Sequence, residues 1–266
     1  MNLTIKKISD LDPFQKLTLS EFSYSRIDTY EMCPSKYFYS YIKKEPRQFN
    51  SPAVLGNIIH SVLENTISSE SPLSLDEMKM SYEEHKVSFD PTNIIPKDLI
   101  DVGDLLLEEF YDQNQDRIFN VHGKEIGFNF IIGNYSIIGF IDRIDVIGDS
   151  VHIVDYKTGK REVALKNVST NLQMGIYALA ASVMFPEKEI TASLHYLRTN
   201  RLKSHTYSEE DLLEIKKTLV ERINVIVQDD NFLPTSNERI CSFCDHSQSG
   251  ACGIGAIRLK KFKKDI

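Results

Sequence analysis

The sequence lacks the features that direct a protein into or through a membrane. It contains no run of about 18 apolar residues, and this absence excludes a predicted membrane-spanning helix. Its first residues, MNLTIKKISDLDPFQKL, have neither the apolar stretch nor the small-residue cleavage site of a secretory signal peptide. Internal repeats and low-complexity segments are absent as well. We therefore expect a cytoplasmic protein that has no membrane partner.

Cysteine is scarce and unevenly placed. Three of the four form the pattern C-x2-C-x7-C and the fourth lies more than 200 residues earlier: Cys33, Cys241, Cys244 and Cys252. Without a secretion signal, disulfides are the weaker interpretation. Four thiolates indicate tetrahedral zinc or an iron–sulfur cluster, and the spacing does not separate the two. Either would join the C-terminal segment to the N-terminal helix. His246 could replace one ligand, and four unrelated buried thiols are the remaining interpretation.

Basic residues are fewer than acidic ones. The chain has 31 Lys and Arg against 38 Asp and Glu, a formal net charge of -7 over 266 residues. This argues against a protein that coats nucleic acid, but an enzyme acting on DNA has an acidic site and can keep its basic groups local. The tail IRLKKFKK at 257–264 is one such group, and a DNA contact is as good an explanation of it as a solvated helix end.

Residues 139–158 predict a β-hairpin with Gly148-Asp149 as its two-residue loop. Counting back through the ladder from this loop places Asp142 directly opposite Asp155. Opposed residues have Cβ atoms roughly 5 Å apart, so like charges there repel, and a protein that buries such a pair usually holds a cation between them. Lys157 points to the same side as Asp155 because side chains alternate along a strand.

The same alternation makes further predictions about the hairpin. One side of its first strand should carry Ile138, Phe140, Asp142, Ile144 and Val146. Three alternatives stay open: Asp142 could pair with Arg143, Asp145 could be the ligand if the register slips by one residue, and Lys157 could simply be the ion-pair partner of Asp155. We interpret Arg143 and Asp145 as a surface ion pair.

Two helices offer polar groups to the same place. His60 lies at the edge of the apolar stripe of an amphipathic helix at 53–67, and a histidine with two carboxylates is a suitable mixed set for Mg²⁺ or Mn²⁺. Gln173 and Tyr177 lie one turn apart on a helix at 170–184, so they share a face. The competing explanations are a satisfied core or surface histidine and a tyrosine whose hydroxyl reaches the surface.

The order of predicted elements indicates an α/β fold with one mixed sheet. A helix begins at Ser25, with Asp28 at the capping-box spacing, and ends near Met32. The other predicted helices lie at 36–42, 53–67, 74–118 with a break at 91–96, 170–184 and 208–229, and the predicted strands at 124–157 and 191–199. We expect a single domain over 1–266 with a helical insertion at 68–120.

Five stretches of the chain resemble the RecB-type nucleases of the PD-(D/E)XK superfamily, in the branch that carries a four-cysteine iron–sulfur cluster. Relatives in this branch include the nuclease domain of AddB, exonuclease V and the CRISPR-associated RecB-like nucleases. The stretches, in order from about residue 23 to 253, are SYSRIDTYEMCPSKYFYSYI, LGNIIHSVLE, GFIDRID, VDYKTG and NLQMGIYALA. The x7 spacing before the last cysteine is longer than the x5 of the family.

This resemblance implies a restriction-endonuclease-like core, a central mixed β-sheet flanked by helices, with an iron–sulfur clasp joining residue 33 to the segment 241–252. It implies one or two Mg²⁺ or Mn²⁺ ions held by His60, Asp142, Asp155 and the backbone carbonyl of Tyr156. Lys157 would orient water or stabilise the transition state, and Gln173 and Tyr177 would position the phosphate backbone. Cys33, Cys241, Cys244 and Cys252 would hold a 4Fe-4S cluster, with structural Zn²⁺ as the alternative.

The function implied is that of a metal-dependent DNA nuclease, an exonuclease on single-stranded or frayed DNA ends in repair, recombination or DNA processing. Aromatic residues at 37–41 could stack bases or belong to the core. A helicase or an integrase is a possible partner, the latter if the chain trims DNA before CRISPR integration. Two functions without catalysis stay open: a DNA-end-binding protein, and a zinc-clasped protein that binds DNA through its basic tail.

Overall fold

A seven-stranded mixed sheet forms the centre of the computed structural model, which describes residues 5–7, 20–46, 50–90 and 94–262. The strand order is β1-β3-β4-β5-β6-β7, and β2 pairs with β4. The β2–β4 and β5–β6 pairs are parallel and the others antiparallel. The strands are β1 Ile5–Lys7, β2 Ser20–Phe22, β3 Val121–Ile132, β4 Tyr135–Ile147, β5 Ser150–Lys157, β6 Glu189–Tyr196 and β7 Arg201–Thr206. The predicted mixed sheet is confirmed.

Helices cover both faces of this sheet. They are α1 Tyr24–Met32, α2 Pro34–Tyr37 with a π-helical turn at Phe38–Ile42, α3 Ser51–Thr66, α4 Leu75–Phe89, α5 Lys97–Asn114, α6 Leu172–Met184, α7 Glu209–Val227, α8 Glu238–Ser242, α9 Asp245–Gln248 and α10 Gly253–Phe262. A short 3-10 turn spans Leu165–Asn167. None of the described helices is long and apolar enough to cross a membrane.

Two apolar clusters fix the layers. One face of the sheet packs against α1, α6 and α7, where Ile27, Ile176 and Leu219 are fully buried. Residues of α3, α4 and α5 form the second cluster, which reaches the other face at Val154 and Tyr156. The helices α4 and α5 lie within the predicted insertion at 68–120, so this segment covers one face of the sheet at the interior strand β5.

Several predicted boundaries shift in the structure. Ser23, not Ser25, caps α1, because the Ser23 side chain accepts the N–H of Arg26 at 3.3 Å. The helix predicted to begin at Ser208 is confirmed, with a capping box between Ser208 and Asp211. Of the predicted break at 91–96, residues 91–93 lie outside the described part of the chain, and α5 begins at Lys97.

The edge strand β7 escaped prediction because its sequence, RLKSHT, is polar and mostly exposed. Among the aromatic residues at 37–41, Tyr37 belongs to the core and stacks on Phe232 at 6.0 Å between ring centroids. Residues 263–264 of the predicted basic tail lie outside the described residues. The described part ends in α10, where Arg258 donates to the carbonyl of Thr235.

The alternation of side chains along β4 shifts by one residue near the middle of the strand. Ile141 and Ile144 are both fully buried in the cluster beneath α6, although they are three residues apart. Phe140, by contrast, is 63% exposed. The prediction that Phe140, Asp142 and Ile144 share one continuous side is therefore wrong. The shift falls at Asp142 and Arg143, where the strand passes from one set of neighbours to another.

Candidate functional site

The β4–β5 hairpin has the predicted register, and it opens at the predicted pair of aspartates. Ile147 pairs with Ser150 across the Gly148-Asp149 turn, and the ladder runs back to Arg143 and Val154. One step further, Oδ2 of Asp142 accepts the N–H of Tyr156 at 2.8 Å. This hydrogen bond forms where the β4–β5 ladder ends, and it holds the carboxylate of Asp142 at the open end of the hairpin.

His60 reaches this point from α3. The buried residues Ile58, Ile59, Val62 and Leu63 fix the helix against the second apolar cluster, and His60 lies at the edge of that stripe. Its Nδ1 lies 3.4 Å from Oδ2 of Asp142. Burial lowers the pKa of His60, but the carboxylates of Asp142 and Asp155 outweigh this effect, so the net pKa lies above its ordinary value.

Asp155 is the most deeply buried acid of the group, with 2% of its surface exposed. Burial raises the pKa of Asp155 to about 6, and the charge of Asp142 adds to the rise while Lys157 opposes it. The Nζ of Lys157 lies 2.6 Å from Oδ2 of Asp155. The predicted ion pair between Lys157 and Asp155 is therefore present, and it opposes the effect of burial on the pKa of Asp155 without cancelling it.

A chain of hydrogen bonds extends from Lys157 to α6. Its Nζ donates to Oε1 of Gln173 at 2.9 Å, and Nε2 of Gln173 donates to the hydroxyl of Tyr177 at 3.0 Å. Tyr177 is only 7% exposed, which contradicts the explanation that places its hydroxyl at the surface. Burial, followed by the charges of Asp155 and Asp142, raises the pKa of Tyr177, so its hydroxyl stays protonated.

Glu125 belongs to the same cluster and was not predicted. One ligand atom from each of His60, Glu125 and Asp142 lies within 4.8 Å of the other two. Glu125 adopts a positive φ of 46°, which is uncommon for a residue other than glycine. The Gly133-Asn134 turn could have revealed it, because counting back from Ile132 and Tyr135 places Glu125 opposite Asp142.

Arg143 and Asp145 form an ion pair, with 3.0 Å between Nε and Oδ1. Both are only 4% exposed, so the prediction of a surface ion pair is wrong. The side chain of Arg143 also donates to the hydroxyl of Tyr156. Because the strand alternation shifts at this point, Arg143 and Asp145 face the cluster of α3 and α5. Asp145 is therefore occupied away from His60, and the alternative register that makes it the ligand is excluded.

The four cysteines come from both ends of the described chain and are all buried. Cys33 accepts the N–H of Thr235 at 3.4 Å, and Cys252 accepts the N–H of Gly255 at 3.4 Å. Burial raises the pKa of Cys252, and charge on Cys33, Cys244 and Cys241 raises it further, so the four thiols share one neighbourhood. Among these four described residues, no three sulfurs lie within 4.8 Å of one another.

His246, the predicted substitute ligand, is buried beside these thiols. Its Nε2 lies 2.9 Å from the hydroxyl oxygen of Ser40, and its ring packs against Tyr39. The contacts of this imidazole therefore join α9 to the π-helical turn at Phe38–Ile42. They strengthen the connection between the C-terminal segment and the N-terminal helices.

Comparison with known proteins supplies a family. A model of the PD-(D/E)XK nuclease superfamily matches residues 21–249. One subunit of the ATP-dependent helicase/deoxyribonuclease of Carboxydothermus hydrogenoformans is 28% identical over 225 residues, which cover 66% of this chain and 20% of that protein. The corresponding subunit of Clostridioides difficile is 21% identical over 249 residues, which cover 77% of this chain and 22% of that protein.

Two further matches are a phage protein and a solved structure. The gene 69 protein of Mycobacterium phage L5 is 25% identical over 130 residues, which cover 47% of this chain and 43% of that protein. The chain thus spans about a fifth of the two helicase/deoxyribonuclease subunits and less than half of the phage protein. A crystal structure of a candidate exonuclease from Eubacterium rectale superposes with a TM-score of 0.53 at 12% identity, over 94% of this chain and 93% of that one, which shows a shared fold.

Proposed function

Because this chain belongs to the PD-(D/E)XK nuclease superfamily, and is therefore a phosphodiester hydrolase by descent, we propose that it is a metal-dependent deoxyribonuclease. The observation that carries this proposal is the convergence of His60, Asp142, Asp155 and Lys157 at the open end of one hairpin. Bringing a histidine together with a half-buried and a fully buried carboxylate is unfavourable, since the charges repel and desolvation costs free energy, and such clusters are typical of functional sites.

These side chains fit a divalent cation. The raised pKa of His60 reflects the nearby carboxylates of Asp142 and Asp155, whose negative charge a Mg²⁺ or Mn²⁺ ion would offset. We assign its ligands as His60, Asp142, Asp155 and the backbone carbonyl of Tyr156, and the position of Glu125 adds a further carboxylate beside them. When bound, the metal would lower the pKa of a water ligand and offset charge on the scissile phosphate.

The remaining polar residues would act on the water and the phosphate. Lys157 carries its charge beside Asp155, where it would orient the attacking water or stabilise charge on the transition state. Gln173 holds the ammonium group through a hydrogen bond, and Tyr177 holds Gln173. This chain of hydrogen bonds would keep Lys157 in place while Gln173 and Tyr177 position the phosphate backbone.

The substrate we propose is DNA with a single-stranded or frayed end, processed in repair or recombination. Support comes from the similarity to helicase/deoxyribonuclease subunits, which also makes a helicase the first partner to test. A nuclease that trims DNA before CRISPR integration, with an integrase as partner, is a second possibility within the same chemistry. A DNA-end-binding protein without activity would not need the four-membered set of His60, Asp142, Asp155 and Lys157.

For the four cysteines we propose a 4Fe-4S cluster rather than zinc. The four thiols are buried and share one neighbourhood, as the ligands of a single metal centre would. The resemblance of the chain to the iron–sulfur branch of the family favours the cluster over zinc. The backbone N–H groups of Thr235 and Gly255 donate to the sulfurs of Cys33 and Cys252. Sulfurs that bind a cluster accept hydrogen bonds of this kind.

One experiment tests the nuclease. Protein purified without oxygen is incubated with end-labelled single- and double-stranded DNA in Mn²⁺, Mg²⁺ or EDTA, beside the Lys157→Ala variant. We expect metal-dependent cleavage that the variant loses, and the labelled fragments then report polarity. A folded, brown protein that cuts no DNA in either metal would refute the nuclease and leave the binding role. A colourless protein that contains zinc would refute the iron–sulfur cluster alone.

A further inference from the structure

We infer that a groove beside the metal site binds one unpaired nucleobase next to the scissile phosphate, and that the exposed ring of Phe140 is the surface on which this base stacks. The inference rests on the proposed function, since it assumes a DNA strand at the metal site. It adds a subsite that selects single-stranded DNA by contact with the base itself.

The groove exists because the pairing of β4 is interrupted on one edge. On that edge β2 pairs with Tyr135, Ser136 and Ile137, and β5 pairs from Arg143 onward. Among the described strands, none pairs with residues 138–142 on this side. The gap opens into a groove of about 390 Å³, a size typical of small-molecule sites, whose lining includes Tyr24, Phe128, Phe140, Asp142, Gln173 and Tyr177.

The groove is continuous with the proposed catalytic residues. Asp142 belongs both to its lining and to the His60, Glu125 and Asp142 cluster. Gln173 and Tyr177, which we assign to the phosphate backbone, form part of the same wall. A phosphate held at the metal site therefore places its attached nucleoside at the entrance of this groove, which is why a nucleobase is the occupant that we favour.

Two phenylalanine rings line the groove from opposite faces of the sheet, and each lies against a glycine of the neighbouring strand. Phe140 pairs across the strands with Gly127, and a Cβ on Gly127 would lie 3.3 Å from the Phe140 ring. Phe128 pairs with Gly139, where a Cβ would lie 2.5 Å from the Phe128 ring. Each ring thus rests on a residue without a side chain, which fixes it against the sheet.

The two rings differ in what covers them. Phe128 is half-buried and makes an edge contact with Tyr177, with 5.9 Å between centroids. Phe140 is 63% exposed although it is a large apolar side chain in the middle of a long strand. An aromatic surface that is fixed from below and open above is suited to stacking on a base, and every base offers such a face irrespective of sequence.

The test measures binding and cleavage separately. Single-stranded DNA that carries 2-aminopurine near its end is titrated with protein in EDTA and in Ca²⁺, because stacking quenches the fluorescence of this base. The variants are Phe140→Ala, Phe140→Leu and Phe140→Tyr. The matched control is Ile147→Ala, at an exposed apolar position on the same strand beside the hairpin turn. Melting temperatures establish that the variants fold.

We expect Phe140→Ala and Phe140→Leu to weaken binding and raise KM by roughly 5- to 100-fold, the range typical of the loss of one base–aromatic contact. The kcat should change little, Phe140→Tyr should retain the wild-type values, and Ile147→Ala should behave as wild type. An abasic residue at one fixed position from the cut bond should weaken wild-type cleavage to a similar extent and have no further effect in Phe140→Ala.

The outcomes separate the two proposals. If the wild type cuts DNA but the Phe140 variants bind and cut normally, or if Phe140→Leu is as good as the wild type, the stacking subsite is refuted and the nuclease stands. If the wild type binds through Phe140 but cuts nothing, the subsite stands and the nuclease is refuted. Neither cleavage nor Phe140-dependent binding would overturn both.

Discussion

Replacing Asp155 with asparagine should stabilise the metal-free protein while it abolishes cleavage. The pKa of Asp155 is raised from 3.8 to about 6, with burial as the largest cause. A rise of this size means that ionising the buried carboxyl destabilises the folded state by about 3 kcal/mol. Asparagine resembles the protonated carboxyl in shape and is uncharged. At pH 7.5 we therefore expect Asp155→Asn to unfold at a higher denaturant concentration than the wild type.

The pH dependence follows from the same shift. Between about pH 4 and pH 6 the folded state holds a proton on Asp155 that the unfolded state has lost, so the stabilisation associated with this group is complete below pH 4 and disappears as pH rises through 6. The difference in unfolding free energy between Asp155→Asn and wild type should therefore be largest above pH 6 and small at pH 4. Urea unfolding in EDTA under anaerobic conditions measures it.

Two comparisons make this result specific. Asp211 has its pKa lowered, first by the N–H of Ser208 and then by His205, so Asp211→Asn should have the opposite sign and destabilise at neutral pH. Adding Mn²⁺ should stabilise the wild type, by about 2.7 kcal/mol at a hundredfold excess over Kd, and stabilise Asp155→Asn less, because the variant lacks one charged ligand. A metal-free Asp155→Asn protein that is less stable than the wild type at pH 7.5 would refute the reasoning, because it would mean that the ion pair with Lys157 outweighs burial.

Three further predictions concern the rest of the site. Asp142→Ala should abolish cleavage in the assay with end-labelled DNA while the circular dichroism spectrum stays that of a folded protein, and retained cleavage would contradict the metal assignment. Glu125→Gln should weaken Mn²⁺ binding by roughly tenfold in a calorimetric titration, since it removes one charge from the cluster, and unchanged affinity would exclude Glu125 from it. Cys244→Ser should bleach the visible absorption and lower Tm by several degrees, because the loop of more than 200 residues between Cys33 and Cys241 is no longer closed by the cluster. An unchanged spectrum and Tm would refute the cluster as a link between the two ends of the chain.

Local rules were sufficient for the hairpin that forms the site. The Gly148-Asp149 turn sets the register between β4 and β5. The predicted pair, Asp142 and Asp155, lies one position beyond the last observed pair, Arg143 and Val154. The same rule applied to Gly133-Asn134 leads to Glu125. Glu125 was missed because only one of two adjacent hairpins was counted, although the information for both was present in the sequence.

Other features depend on tertiary structure and could not be predicted from the sequence. The shift in alternation at Asp142 and Arg143 arises where β4 leaves one set of neighbours for another, and no residue type marks it. The burial of Asp145 follows from the cover that α3, α5 and the residues around Phe119 provide. A strand such as β7, which is polar because it lies at the sheet edge, has no apolar alternation to detect.

The interruption in strand pairing gives one physical reason for the position of the site. Within a continuous ladder, the backbone N–H of Tyr156 would be committed to a carbonyl of β4. Because the ladder ends at Arg143 and Val154, this N–H is free to hold the carboxylate of Asp142. The strand β5 stays ordered past this point because it pairs with β6 as far as Lys157 and Tyr196. The gap in β4 can therefore serve both the proposed metal site and the adjacent groove, and substitutions that close it should affect catalysis and base binding together.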